Sequence, residues 1–362
     1  MIKKLDRYII GKYLSAFIFT MVLVSMVSIA INYFENIDKF IVAKIGFGQA
    51  LTEYYLHFLP WINGLLSPVF ALIAVIFFTS RMARNSEIIT ILASGVSYDR
   101  FLRPYLLSGI LIAAVLWVAN NYVIPNSTRI KNEFETEKIK RNLKDNLTND
   151  IHFFISPNEK AYFRYYNDRD SSAKNFRLEK IKDGKLIKLL KAEELNFIGR
   201  PNKWQMLNIE ERYFDGLDEK FVISRNVKID TVFPFKPEDF TRYTKQMEMM
   251  STTDLRAFIY EEKQRGIGTA KTYLIELYRR TSDPFTIIIL TMIGVTVASR
   301  KVRGGLGLHL ALGVIIGAVF VIISKFSVTF ASNLSLSPLL GVWIPNIVFS
   351  LVAYFLYKKA QK

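Results

Sequence analysis

Apolar residues in this chain come in long unbroken runs towards both ends and in short, alternating runs through the middle. A helix of roughly 20 mostly apolar residues crosses about 30 Å of hydrocarbon. Six stretches read as such spans, at about 13–33, 55–80, 101–124, 284–298, 306–330 and 339–357. The second contains Pro60 and Pro68. The first is too long for a cleavable signal peptide and lacks a small-residue cleavage site, so it is expected to remain as a span.

Residues 125–280 contain no span and change character. Asn126–Asn149 is charged and helical in pattern. After it come IHFFIS, KAYFRYY, KLIKLL, KWQML and FVISRNVKI, separated by turn signals at Asp183-Gly184, Arg200-Pro201-Asn202 and Asp215-Gly216. Short strands at this spacing predict a β-sandwich or jelly-roll-like domain. A helix is expected to resume at Ser251, capped by the run to Asp254, with Leu255, Phe258 and Ile259 at helical spacing. Gly266 and Gly268 are expected to break it, and Tyr273–Arg280 to lead into the fourth span. The expected fold is an α-helical integral membrane protein with six transmembrane helices and an inserted all-β, jelly-roll-like domain between helices 3 and 4. Residues 1–124 would carry spans 1–3, residues 125–280 the β-domain with flanking helices, and residues 281–362 spans 4–6.

Charge then orients these elements. The 362 residues include 48 Lys and Arg against 32 Asp and Glu, a formal charge of +16, and the pI is near 9.7. Such basicity raises nucleic acid as a partner, but a mean hydropathy of +0.19 and 28 Phe point to lipid-facing surface instead. Lys3, Lys4, Arg7, Lys12, Arg81, Arg84, Arg100, Arg103, Arg300, Lys301, Arg303, Lys358, Lys359 and Lys362 flank one side of the spans; Lys39 and Lys44 are the basic residues in the short loops of the other. Fourteen against two places both termini in the cytoplasm and exports the insert. Residues 125–280 hold 31 basic and 25 acidic residues, and the remainder 17 and 7. Most of the excess is thus a topological signal facing anionic headgroups, and no nucleic-acid partner is expected.

Few groups remain for chemistry. The absence of cysteine removes disulfides, Cys zinc sites and a thiol nucleophile, and His57, His152 and His309 are too scattered for a metal cluster or a triad. No phosphate-binding G-x-x-x-x-G-K-[ST] loop occurs. Gly304-Gly305-Leu306-Gly307 reads as a tight turn between spans, and Glu193/Glu194 and Glu210/Glu211 as solvated faces. No catalytic residue, metal site or cofactor of its own is expected.

The loop between spans 2 and 3 is more informative. It runs from Arg81 through Arg84, Ser86 and Glu87 to Gly95. Ser86 can cap a short helix on which Ile88, Ile91 and Leu92 form an apolar stripe, terminated by Gly95. Two readings compete: an interfacial helix lying on lipid with its arginines at headgroups, and a docking helix that fits a cytoplasmic partner's groove, with Glu87 supplying a charge.

Arg84-x-Ser86-Glu87-Ile88-Ile89 followed by Ala93-Ser94-Gly95 resembles the coupling-helix signature, at about 84–96, of the lipopolysaccharide-export permeases, the LptF/LptG family. Leu5-Asp6-Arg7-Tyr8-Ile9 is similar to that family's amino-terminal motif, more like LptG than LptF. Pro125 stands where the family's third span ends. Leu255–Gly266, Tyr273, Glu276 and Arg280-x-x-x-Pro284 match its return into the fourth span, and Pro338 and Pro345 the start of the sixth.

The resemblance implies a permease subunit of an ATP-driven ABC transporter in the bacterial inner membrane. Such permeases pair as an F/G heterodimer, bind a dimeric cytoplasmic P-loop ATPase, extract lipopolysaccharide from the outer leaflet and pass it to a periplasmic bridge protein, whose single transmembrane helix can insert beside spans 1 and 5. ATP is bound by the partner, so the chain is not itself an enzyme. Arg84, Ser86, Glu87, Ile88, Ile91 and Gly95 would form the ATPase contact. Phosphates on the lipid call for cations along its path. Lys39 matches a basic position of the G-type pattern, Tyr33 and Phe40 stand where further lysines can occur, and Lys44 can compensate. Lys325, within VFVIISKFSVTF, costs on the order of 3 kcal/mol if unpaired in hydrocarbon. It either snorkels to the outer interface or faces the lipid path. Against this function stand an envelope scaffold or sensor, for which six spans with interior prolines exceed what anchoring needs; a lipoprotein-release permease, which typically has four spans; and a membrane hydrolase, for which no nucleophile–base pair is visible.

Overall fold

The computed structural model describes residues 3–139, 147–156, 158–167, 170–182, 184–199, 202–216, 218–235, 237, 246–264, 270–300, 305–333 and 336–360. The chain divides into two compact units. A helical unit comprises Met1–Phe134, Met247–Leu255 and Lys271–Lys362, and a β unit Glu135–Gln246 and Arg256–Ala270. The helices are α1 (Lys4–Val42), α2 (Phe47–Gln49), α3 (Leu56–Arg84), α4 (Glu87–Ala93), α5 (Tyr98–Val118), α6 (Ile124–Phe134), α7 (Thr252–Gln264), α8 (Ala270–Ala298), α9 (Gly305–Asn333) and α10 (Pro338–Ala360). π-helical turns at Ala50–Tyr55 and Ala119–Val123 join α2 to α3 and α5 to α6.

Among the described residues, six helical segments are long and apolar enough to cross a membrane, and an antiparallel sheet is inserted between the third and fourth, as the hydropathy pattern requires. Several segments overrun the apolar runs. α1 has 39 residues and extends through Asp6 and Lys39, because the backbone i→i−4 bonds hold whether or not the side chains are apolar. α8 starts at Ala270, fourteen residues before the apolar run, and carries Pro284 inside it. Prolines also lie inside α3, α5 and α10; in α10 the Gly341 carbonyl that Pro345 frees accepts from Ser327 Oγ (2.6 Å) of α9.

The core of the helical unit is built from Leu72, Val75 and Ile76 of α3, Ile112 and Leu116 of α5, and Ile287, Leu290 and Ile293 of α8. Small residues set how closely these helices approach. A methyl group at Gly294 would fall 2.3 Å from Val75 Cγ1, and one at Gly341 2.2 Å from Ala331 Cβ. Half or more of the apolar stretch is buried in the second, third and fourth spans; none of it is in the first, and 17% in the fifth.

The described residues of the β unit form one six-stranded antiparallel sheet, β1 (Leu147–Ser156), β2 (Glu159–Asn167), β3 (Ser172–Lys182), β4 (Lys185–Gly199), β5 (Lys203–Asp215) and β6 (Asp218–Val232), paired in chain order. Its connectivity is a meander of hairpins, which sharpens the jelly-roll-like expectation. Asn208, Asn175 and Asn226 adopt left-handed backbone, with φ of 52°, 55° and 57°. The register places Asn175 opposite Glu193 and Glu193 opposite Asn208. Along that row the buried positions step by three residues instead of two: Phe163 to Tyr166, Ala173 to Phe176, Ala192 to Leu195 and Met206 to Ile209. A left-handed residue rotates the strand and bends it, so the inward parity changes along one crease across four strands. Asn208 Nδ2 donates to Glu193 Oε2 (2.6 Å) and Asn226 N–H to Asn208 Oδ1 (2.9 Å), which ties the crease together.

Two local expectations are corrected. Residues 147–149, read as the end of a charged helix, begin β1. β3 was not anticipated, because the three-residue step at Asn175 hides its alternation. The expectations for Asp183, Arg200, Pro201, Gly266, Gly268, Lys301, Arg303 and Gly304 lie outside the described residues.

Candidate functional site

The loop after α3 forms a short helix anchored to the rest of the unit. Arg81 and Arg84 occupy the last turn of α3, and Ser86 takes a left-handed conformation (φ 61°) before α4. Ser86 stands at the N-cap position, but its side chain makes no capping hydrogen bond. A capping side chain works from extended backbone, which the left-handed turn does not supply. Gly95 (φ 88°) closes the helix, its N–H donating to the Leu92 carbonyl (3.1 Å), as a residue free of Cβ strain can.

The apolar stripe of α4 faces inward. Ile88 is 1% exposed, and Ile91 and Leu92 pack against the helical core. Ile88 therefore anchors the helix to the core. The outward face is Ile89, Thr90 and Ala93, alongside exposed Arg84 and Gly95. Sequence reasoning missed Ile89 because two adjacent isoleucines in a seven-residue helix leave its phase undecided.

The amino-terminal motif engages this loop on both sides. Tyr8 OH donates to Glu87 Oε2 (3.1 Å), and Asn85 Nδ2 donates to Glu87 Oε1 (3.2 Å). Arg100, at the start of α5, forms a two-pronged pair with Asp6, each hydrogen bond 2.6 Å. Asp6 also accepts from the Lys3 N–H (2.8 Å), and Ile9 is fully buried. A bidentate guanidinium–carboxylate pair fixes direction as well as distance. Span 1 is thereby tied to both ends of the α4 loop. The motif was visible in the sequence, but its partners Glu87 and Arg100, 79 and 94 residues away, were not.

The three lysines expected along a lipid path lie on two elements. Lys39 is in the last turn of α1, its Nζ donating to Asn36 Oδ1 (2.8 Å), and Lys44 follows in the turn, at φ 55°. Lys325 sits eight residues before the end of α9 and lines a cavity between α3, α8, α9 and α10. Arg279, Asp283, Ser324 and Asn346 share that cavity; Lys39 and Lys44 do not. Arg279 and Asp283 lie 3.6 Å apart, so a cation pair and one carboxylate line this space. Both lie in α8 ahead of its apolar run, which starts at Pro284.

Arg280, beside them, is 3% exposed. Its guanidinium donates to Thr252 Oγ1 (2.8 Å) and to the Met247 and Met250 carbonyls (3.2 and 2.8 Å), and lies 3.5 Å from Glu276. Thr252 in turn donates to Asn121 Oδ1 (2.7 Å) in the π-helical turn after α5. The Arg280-x-x-x-Pro284 motif thus holds the return segment to the spans. Among the described residues, no three His, Cys, Asp or Glu side chains are grouped to hold a metal.

Compared with known proteins, residues 7–359 match the family model described as lipopolysaccharide export system permease LptF/LptG. No curated protein matches the chain.

Proposed function

The chain belongs to the LptF/LptG family of lipopolysaccharide export permeases, and from that premise we propose how it works within the transporter. It is a multi-pass inner-membrane transport subunit. In the proposed assembly it is the G-type member of an F/G pair, with both termini cytoplasmic and the β unit periplasmic. A dimeric P-loop ATPase binds the outward face of α4, and lipopolysaccharide leaves the outer leaflet through a path that includes Lys39, Lys44 and Lys325. A periplasmic bridge protein receives it.

The observation that carries this reading is the double tie between span 1 and the coupling-helix loop. Movement of α4 driven by ATP hydrolysis is conveyed through Glu87–Tyr8 and Arg100–Asp6 to a span that leaves Phe19, Met26 and Phe34 exposed in the isolated chain. A mobile wall of a lipid path needs such a face, together with a lever at one end. The bridge is supported separately by β6. This edge strand is exposed nearly throughout, carries Phe221, Ile223 and Val232, and among the described strands pairs with β5 alone. An added strand from a partner completes such an edge.

The decisive experiment compares Glu87→Ala and Tyr8→Phe in the complex purified from its native membrane. Glu87→Ala is expected to lose most of the co-purifying ATPase. Tyr8→Phe is expected to retain it while lipopolysaccharide release per ATP falls several-fold. Normal assembly and transport in both variants would overturn the coupling route. Recovery of periplasmic partners without an ATPase would favour the scaffold reading.

A further inference from the structure

A second groove lies between the first half of α1 and the end of α3, and it shares no lining residue with the Lys325 cavity. Tyr8, Lys12 and Phe19 line it from α1, and Phe77 and Arg81 from α3. The α1 positions recur at i, i+4 and i+11, which is one helix face. Glu87 of α4 closes one end.

The groove is graded along its length. Lys12 and Arg81, both exposed, lie towards the end where Glu87 sits, and Phe19 and Phe77, 66% and 41% exposed, lie further along the same two helices. Neither the Lys12 nor the Arg81 side chain makes a hydrogen bond or ion pair with any described residue. Glu87, the one carboxylate among the described lining residues, is engaged by Tyr8 and Asn85. Two cations, neither in a salt bridge with any described residue, therefore stand beside an apolar slot, and they outnumber its one described carboxylate. A soluble anion would meet the cations but leave both phenylalanines unused. A lipid phosphate with its acyl chains satisfies both ends.

We propose that this groove binds an anionic glycerophospholipid of the leaflet at this end of the spans, which the basic rims mark as the cytoplasmic one. The ligand differs from the transported lipid in both leaflet and site. Because Tyr8 and Asn85 hold Glu87 from the same groove, an occupied site braces the coupling helix, and that consequence rests on the coupling route proposed above. Binding itself does not.

The test uses the full-length protein in detergent, with retained lipid counted by native mass spectrometry. Phosphatidylglycerol is expected to be retained about thirtyfold over phosphatidylcholine, the ratio that roughly 1 kcal/mol for each of two cations gives. Lys12→Gln with Arg81→Gln should bring it to the phosphatidylcholine level. Arg103→Gln, which removes a cation from the same rim outside the groove, should leave it unchanged. Equal retention of the two lipids, or an equal loss in Arg103→Gln, would overturn the site. Displacement by millimolar inorganic phosphate would overturn its assignment to a lipid. Loss of lipopolysaccharide retention in the double variant, with phosphatidylglycerol unaffected, would return the groove to the transport path. Phe19→Ala with Phe77→Ala keeps both cations and covers the case in which the charge variant fails to fold. It should lower retention of long-chain but not short-chain phosphatidylglycerol, and wild-type retention of both would count against the proposal.

Discussion

The two units solve the burial problem in opposite senses. In the helical unit Phe19, Met26, Leu351 and Phe355 point outward, each at least 66% exposed, while Arg280, Asp6, Thr286 and Asn346 are buried. In the β unit Phe163, Phe176 and Trp204 are fully buried, and the outer faces carry ion pairs such as Lys188–Glu211 and Lys191–Glu210, both 3.1 Å. The difference is one of solvent. Lipid gives an outward Phe no reason to hide, and it offers a polar group no partner, so polar side chains bond to each other across the spans. Thr286 donates to Asn346 Oδ1 (2.8 Å), and Asn346 Nδ2 to the Ser282 carbonyl (3.0 Å), joining α8 to α10 in this way. The β unit breaks its own rule along exposed β6, the edge proposed above as the docking strand for the bridge protein.

The largest effect expected from this contrast is in the helical unit. Arg280→Met leaves two carbonyls, Thr252 and Glu276 without their buried cation, and should cost about 3–5 kcal/mol. The readout is loss of monodisperse protein or a marked fall in Tm, and a fall no greater than that of a surface variant would break the comparison. Next comes Trp204→Phe in the β unit. It keeps an aromatic ring but removes the Nε1–H donor to the Phe235 carbonyl (3.2 Å), at about 1–2 kcal/mol. Faster hydrogen exchange confined to β4–β6 would register it; unchanged protection would show that the apolar core alone holds the sheet.

Lys325→Ala sharpens the contrast differently. An exposed lysine should contribute under about 0.5 kcal/mol to stability, yet lipopolysaccharide-stimulated ATPase activity and lipid crosslinking of the assembled complex should fall several-fold. Unchanged values for both would remove Lys325 from the lipid path. The smallest effect belongs to the outer face of the β unit. The Tyr213 hydroxyl (2.7 Å) and then Lys188 hold the Glu211 carboxyl below its ordinary 4.5. With a depressed folded value, its stabilising contribution is present above pH 4.5 and is lost as the pH falls through that folded value. Glu211→Gln should therefore shift stability by less than about 0.5 kcal/mol at pH 7 and flatten the loss below pH 4.5, as measured by thermal unfolding across that range.

Hydropathy made the six spans legible because a helix in hydrocarbon must be apolar along most of its length. It placed their ends poorly. Backbone hydrogen bonds carry α1 through Asp6 and Lys39 and start α8 at Ala270, where side-chain polarity gives no warning. β3 escaped notice because its crease at Asn175 breaks a period that sequence reading takes as constant. In the coupling helix, the cap role of Ser86 and the outward place of Ile88 both yielded to tertiary context: a left-handed turn in one case, core packing in the other.

Composition and order alone determined that this chain spans a membrane six times, carries an inserted β region, and concentrates its basic residues on one rim. Those are properties of single segments against a solvent, so each segment reports them independently. Only the tertiary structure decided that Asp6 finds Arg100, that Tyr8 finds Glu87, and that Lys12 and Arg81 meet beside Phe19 and Phe77. Such pairings depend on which helix faces pack together, and helix packing couples residues far apart in the chain that no local period connects.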